Sequence, residues 1–238
     1  MSNIRNAPTP RVVELVGFPG SGKTSIAKDA LRQLVNHGHR RPFYYGKDGK
    51  LPFRIGHTPE AVALGSRMMV CAVMSGHIRE LPRVAKMFEN LLIVRRTRRY
   101  LGGEALVVFD QAVIQKLYLM RERDDPTREA MESVLELLKP ELAEVYVIVD
   151  TPPNIAAERF AQRRKRSSIR PFKRWPADEV ASLYRQQHRV LEWIVEWLEC
   201  QEGTTVVRLD GRAPVQENGE IMAQVLKEFA EQYDSNVV

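Results

Sequence analysis

"ELVGFPGSGKTSIAK", residues 14–28, runs from an apolar segment through a loop with glycines at 17, 20 and 22 into a pattern that reads as helix. The spacing Gly17-x-x-x-x-Gly22-Lys23-Thr24 satisfies every required position of a phosphate-binding loop. Glycines let successive backbone N–H groups face one concavity, where a Cβ would block either the turn or the ligand. A helix starting near Lys23 adds its unpaired N–H groups and the positive end of its dipole. The loop therefore predicts a nucleoside triphosphate site, ATP in the leading reading, lined by Gly17, Phe18, Pro19, Gly20, Ser21, Gly22, Lys23, Thr24 and Ser25. Lys23 is placed for the β- and γ-phosphates and the Thr24 hydroxyl for Mg²⁺.

A second metal ligand is expected at the tip of a neighbouring strand, where side chains emerge beside the loop. "ALVVFD" offers Asp110 and "VYVIVD" offers Asp150. Thr151-Pro152-Pro153 carries the chain away after Asp150, which suits a capping role, so Asp110 is the expected partner of Thr24 on the metal.

Around this motif the chain alternates strand-like and helical patterns. Strands are expected over 11–17, 41–46, 105–110, 144–150 and 204–210. Helices are expected over 23–36, 58–75, 82–101, 112–121, 126–139, 153–166, 178–200 and 215–232. Strands separated by helices pair in parallel and are covered on both faces. The expectation is a three-layer α/β fold, with a mostly parallel five-stranded sheet between helices and an arginine-rich lid. One domain would span 11–232 with its lid over 159–176, between a loose arm at 1–10 and a tail at 233–238.

The 238 residues suffice for a core without staples, and only Cys71 and Cys200 are present, outside any CxxC pattern. That argues against a disulfide framework or zinc site and suits a cytoplasmic setting. "MSNIRNAPTP" has no apolar core of a signal segment, and no apolar run approaches a membrane span, so no membrane partner is expected. The net charge of +6 and pI near 9.4 favour anionic partners. Trp193 and Trp197 share a helical stripe with Val190 and Ile194, read as core, the alternative being a homodimer face.

The segments "GFPGSGKT", "VVFDQ", "VIVDTPPNIAAERFAQRRKR" and "VRLDGRAPVQENGEIMAQVL" together resemble the nucleoside and nucleotide kinases of the thymidylate kinase type. The resemblance implies an Mg²⁺-dependent transfer of the ATP γ-phosphoryl group to a small anionic acceptor. It also implies an arginine-bearing helix that enters a closing lid, with Arg159 and Arg163 as the catalytic arginines beside Lys23 and Asp110. Independently, Arg159 and Arg163 stand four apart on one helix face, where both guanidiniums can meet the charge of a transferring phosphoryl group. The family usually follows the strand's aspartate with an arginine that binds the acceptor; this chain has Gln111. A neutral amide cannot neutralise an acceptor phosphate. The apolar stripe Val84, Met87, Phe88, Leu91 and Leu92 continues onto Arg95 and Arg99. Either those arginines take that task beside Gln111, or the helix has left the core there with both arginines solvated and the acceptor is not a nucleoside monophosphate but a nucleoside, a non-nucleotide metabolite or a polynucleotide.

Two other classes compete. A GTPase-type switch needs an Asn/Thr-Lys-x-Asp string, which is absent, and an AAA-type ATPase needs an added helical domain for which little chain remains. Nucleic acid is not the expected partner, because Tyr100 alone stands beside the Arg95–Arg99 cluster where interleaved aromatics would be needed.

Overall fold

The structure, a computed structural model, describes residues 11–39, 42–45, 81–101, 105–119, 128–165 and 176–234. The expected helix over 58–75, the arm at 1–10, the end of the tail and lid residues 166–175 lie outside the described residues.

Among the described residues, five parallel strands form one sheet in the order β2-β3-β1-β4-β5: β1 Arg11–Val16, β2 Phe43–Tyr45, β3 Leu106–Phe109, β4 Val145–Asp150 and β5 Thr205–Asp210. The strands are short, β-branched and aromatic, as suits a sheet buried on both faces. Each expected strand is present; the first, fourth and fifth are one residue shorter at an end and the third at each end, and residues 41 and 46 of the second lie outside the described residues. The connecting helices are α1 Lys23–Asn36, α2 Leu81–Tyr100, α3 Val113–Leu119, α4 Arg128–Leu138, α5 Pro153–Lys165, α6 Ala177–Glu199 and α7 Val215–Asp234. A 3-10 turn over Lys139–Glu141 leads into β4.

Strand alternation splits the core in two. Val13, Leu15, Val108, Val147 and Val149 face α1 and α7, meeting Ile26, Leu31, Leu34, Met222 and Leu226. Val12, Val16, Val107, Phe109, Tyr146 and Ile148 face the other way, against Leu91 and Val94 of α2, Ile114 and Tyr118 of α3, and Leu191 and Ile194 of α6. Trp197 and Val190 belong to this second cluster with Trp193 packed against it, which fits the core reading of that stripe. Among the described residues, no helix is long and apolar enough to cross a membrane.

Helix α2 corrects one expectation. The buried face includes Leu91 to Val94, then Arg96 and Thr97, leaving Arg95 and Arg99 exposed. The stripe passes from Leu92 to Arg96 and from Ile93 to Thr97, and not from Leu91 onto Arg95. The helix also ends where β3 begins, which puts its arginines at the amino edge of the sheet. There Arg95 lies 3.5 Å from Glu141, and Arg98 donates to the Pro140 and Leu142 carbonyls and to Glu144.

Candidate active site

The glycine loop leaves β1 at the carboxyl edge and enters α1 at Lys23. Gly22 caps that helix at φ 99°, in the left-handed region, and offers no side chain to occupy the first-turn N–H groups. Gly20, at φ 97°, lies so close to α5 that a Cβ would fall 2.3 Å from the Ala156 carbonyl oxygen. The loop is thus wedged against the helix that carries Arg159 and Arg163.

Lys23 is 6% exposed and donates from Nζ to the carbonyls of Gly17 and, at 3.1 Å, Phe18. Burial lowers its pKa from the ordinary lysine range to about 8; Asp110 pulls it back up, and Lys116 and Arg163 push it further down. The Thr24 hydroxyl donates to Asp110 Oδ2 at 2.8 Å. Asp110 is 4% exposed, and among the described residues its Oδ1 has no hydrogen-bond partner; the same is true of the buried Ser21 Oγ. A buried carboxylate oxygen is costly to leave unpaired. A carboxylate with one oxygen on a hydroxyl and one unpartnered fits a divalent cation, a hard ion that takes oxygen ligands.

Sequence reasoning missed the polar frame beneath the loop. Strand alternation turns Glu14 of β1 into the α3 side of the core, 1% exposed. Its carboxylate accepts the backbone N–H groups of Ala112 (3.1 Å), Val113 (3.2 Å), Ile114 (3.2 Å) and Gln115 (2.8 Å), the orphan donors at the start of α3. Burial pushes its pKa up to about 7, against the lowering pull of those four donors. From the anchored helix, Gln115 Oε1 accepts the Gly17 N–H at 3.0 Å, Gln115 Nε2 donates to the Tyr118 hydroxyl at 2.8 Å, and that hydroxyl donates to the Gly17 carbonyl at 2.6 Å. The clue available in the sequence was a charged residue interrupting an otherwise apolar strand.

Phe18 anchors the loop in the core, 1% exposed. Its ring stacks on Tyr184 of α6 at 4.6 Å and meets Tyr118 edge-on at 5.9 Å, while the Tyr184 hydroxyl donates to the Pro19 carbonyl at 3.1 Å. Ser25 is exposed on the first turn of α1, its N–H on the Gly22 carbonyl at 2.9 Å.

Of the other expected residues, Arg163 lies exposed on α5 and acts electrostatically on Lys23, while Arg159 donates to the Gly211 carbonyl at 2.8 Å, tying α5 to the loop after β5. Gln111 follows Asp110 at the surface and accepts from Lys116 Nζ at 2.8 Å. Asp150 is half exposed, 3.5 Å from His188, and opens on a cleft of about 490 Å³ lined also by Pro152, Arg208, Asp210 and Arg212. The structure therefore groups Lys23, Thr24, Asp110, Gln111 and Arg163, and leaves Arg95 and Arg99 at the opposite edge.

No family model and no curated protein matches the chain. Among solved structures, deoxyadenosine kinase from M. mycoides with bound dATP superimposes with a TM-score of 0.54 at 10% identity, covering 91% of this chain and 99% of that one. The same enzyme with the products dCMP and a flexible dCDP gives a TM-score of 0.53 at 10% identity, covering 92% and 99%. At this identity the likeness shows the fold, a parallel sheet flanked by helices shared along nearly the whole length of both chains.

Proposed function

We propose that this chain is a magnesium-dependent phosphotransferase that moves the γ-phosphoryl group of ATP to a small acceptor, a nucleoside monophosphate or a nucleoside. The observation that carries the reading is the contact of Thr24 Oγ1 with Asp110 Oδ2, 2.8 Å, beside a buried Lys23 and an unpartnered Asp110 Oδ1. A bare anion site does not require a hydroxyl and a carboxylate from two different elements to meet at the mouth of a phosphate cradle; a metal-dependent triphosphate site does, and the acceptor panel below separates transfer from hydrolysis. The fold likeness supports the acceptor class, because those structures hold nucleotides as ligand and products.

In this reading the loop amides and the start of α1 hold the polyphosphate, and Lys23 leaves the Gly17 and Phe18 carbonyls to meet it. Thr24 and Asp110 would hold Mg²⁺, which when bound supplies charge neutralisation on the phosphate oxygens. Arg163 faces the same charge from α5, and Arg159 sets that helix against the loop at Gly211, which the resemblance places on the base side. The buried frame of Glu14, Gln115 and Tyr118 keeps the cradle from relaxing, so its N–H groups are already oriented when charge develops.

The test is Mg²⁺-dependent ATP consumption across a panel of nucleosides and nucleoside monophosphates, with each product identified by mass, and with Asp110→Asn as control. Phosphorylated acceptor is expected from the native chain, with kcat lowered about 100-fold or more in the variant. ADP and inorganic phosphate released with every acceptor left unmodified would make the protein an ATPase instead.

A further inference from the structure

A phosphate loop can offer an anion only the amides that it does not spend on itself. The Gly17 N–H is taken by Gln115 Oε1 at 3.0 Å, the Ser21 N–H by the Phe18 carbonyl at 3.0 Å, and Pro19 has no N–H. Among the described residues, the N–H groups of Phe18, Gly20 and Gly22 have no such partner, and they lead into the open first turn of α1. In a planar trans peptide the C=O of one residue and the N–H of the next point in opposite directions. Those three donors are therefore aimed by the carbonyls of Gly17, Pro19 and Ser21.

Each of these three carbonyls is held from outside the loop by a side-chain hydroxyl. Tyr118 of α3 donates to Gly17 at 2.6 Å, Tyr184 of α6 to Pro19 at 3.1 Å, and Thr151, the residue after β4, to Ser21 at 3.4 Å. The intervening Phe18 carbonyl belongs to the peptide unit without an N–H, and it is taken from within the loop by the Ser21 N–H and Lys23 Nζ. The hydroxyls thus fall on the peptide units that have a donor to aim. The fold makes room for the third of them: a Cβ on Gly211 would overlap Thr151 Oγ1, and the Gly211 N–H is fixed on the Asp150 carbonyl at 2.6 Å. Tyr118, Thr151 and Tyr184 are all buried, where a hydrogen bond is electrostatically stronger than in water.

We propose that Tyr184 and Thr151 are positioning residues of the cradle, which with Tyr118 hold alternate loop carbonyls turned out, and that the group they serve is the polyphosphate chain of the ligand and not its nucleoside. The inference rests on the triphosphate part of the phosphotransferase reading and deepens it. When Lys23 leaves the Gly17 and Phe18 carbonyls for a phosphate, Gly17 keeps Tyr118 and Phe18 keeps Ser21. No peptide then has to turn over to satisfy a carbonyl that the ammonium has vacated. Without the hydroxyls, a carbonyl that swings inward sets its oxygen against the phosphate oxygens and turns one donor of the concavity away.

The experiment compares native chain, Tyr184→Phe, Thr151→Val, the double variant and Thr151→Ser by calorimetry, with Mg²⁺ present and ATP or inorganic tripolyphosphate as the probe. Tyr184→Phe keeps the ring that stacks on Phe18 and removes the hydroxyl. Each single loss of a hydroxyl should raise the Kd of ATP about 3- to 10-fold, and the double variant about 10- to 100-fold, the range that one and two hydrogen bonds account for. The Kd of tripolyphosphate should rise by the same factors, because the change lies at the phosphates. Thr151→Ser keeps a hydroxyl and should stay within about 3-fold of native. Arg98→Ala, a destabilised variant of the amino edge, should leave both Kd values within about 2-fold.

Unchanged Kd values in folded Tyr184→Phe and Thr151→Val would overturn the inference. So would a rise for ATP without one for tripolyphosphate, which would put the hydroxyls on the nucleoside side, or an equal rise in Arg98→Ala, which would make the effect one of general stability. Thermal melting identifies a variant that fails to fold; the two act through different elements, so the other then decides. Affinity lost for both probes, in a protein that releases ADP and inorganic phosphate with every acceptor unmodified, upholds the positioning role and ends the transferase reading. A native chain that takes up neither probe ends both.

Discussion

Glu14 is the residue whose role was least visible in the sequence, since "RVVELVG" reads as a buried strand whatever its fourth residue does. The strand period of two places it among Val12 and Val16, and only the return of α3 over that face supplies its four donors. The loop residues were legible because their chemistry is local: glycines, a lysine and a hydroxyl at fixed spacing need no tertiary information. The pKa of Glu14 allows a test with a defined sign. Its folded value is about 7 against an ordinary 4.5, so the folded chain holds this proton more tightly and stability from Glu14 is lost as pH rises through about 7. A Glu14→Gln variant has no such loss. Denaturant unfolding should show the native chain losing about 3 kcal/mol relative to Glu14→Gln between pH 4.5 and pH 8.5, the size of that shift. A difference that grows the other way would mean that the four N–H donors and the start of α3 outweigh burial.

Among the elements, α3 acts as a bracket and α5 as a wall, and neither role could be read from amphipathic pattern. Helical periodicity located both, because three- and four-residue spacing is a property of the segment alone. Which partner each face meets depends on the sheet order. The same limit misplaced the arginines of α2, where the buried side is wide enough to take in four consecutive residues, Leu91 to Val94, and periodicity then no longer points to one continuation. Two substitutions test bracket and wall separately. Tyr118→Phe keeps the ring against Phe18 but removes the donor to Gly17 and the acceptor of Gln115. It should cost about 1–3 kcal/mol in unfolding free energy and weaken Mg-ATP binding several-fold, read by calorimetry. Gly20→Ala combines a positive φ with a Cβ 2.3 Å from the Ala156 carbonyl oxygen. It should cost about 1–3 kcal/mol from backbone strain, and more from the clash. Its loss of Mg-ATP affinity should exceed that of Tyr118→Phe, because the loop itself has to move.

At the scale of the whole molecule, the parallel sheet separates two kinds of charge. The carboxyl edge gathers Lys23, Thr24, Asp110, Lys116 and Arg163 around one cradle, as open α/β sheets place their ligand sites. The amino edge is a structural tie: Arg98 donates to the Pro140 and Leu142 carbonyls and to Glu144 Oε1, and Glu144 Oε2 accepts the Val12 N–H at 2.8 Å. This tie joins α2, the turn before β4 and the first residues of β1, three segments far apart in sequence. The fold was legible because five strands and their crossovers leave few arrangements. The function of the arginine cluster was not, because charge on a helix end looks alike at either edge of a sheet. The separation predicts that stability and activity can be uncoupled. Arg98→Ala leaves the half-buried Glu144 and two carbonyls without this guanidinium, and should lower unfolding free energy by about 1–3 kcal/mol. Glu144→Ala should cost a similar amount, and the double variant less than the two together, because the pair shares one interaction. At a temperature where all three remain folded, the KM for ATP and the kcat should stay within about 2-fold of native, since no group of the tie belongs to the cradle. A fall in ATP affinity in Arg98→Ala without loss of fold would show that the two edges are energetically coupled through β1, the strand that carries Glu144's partner at one end and the glycine loop at the other.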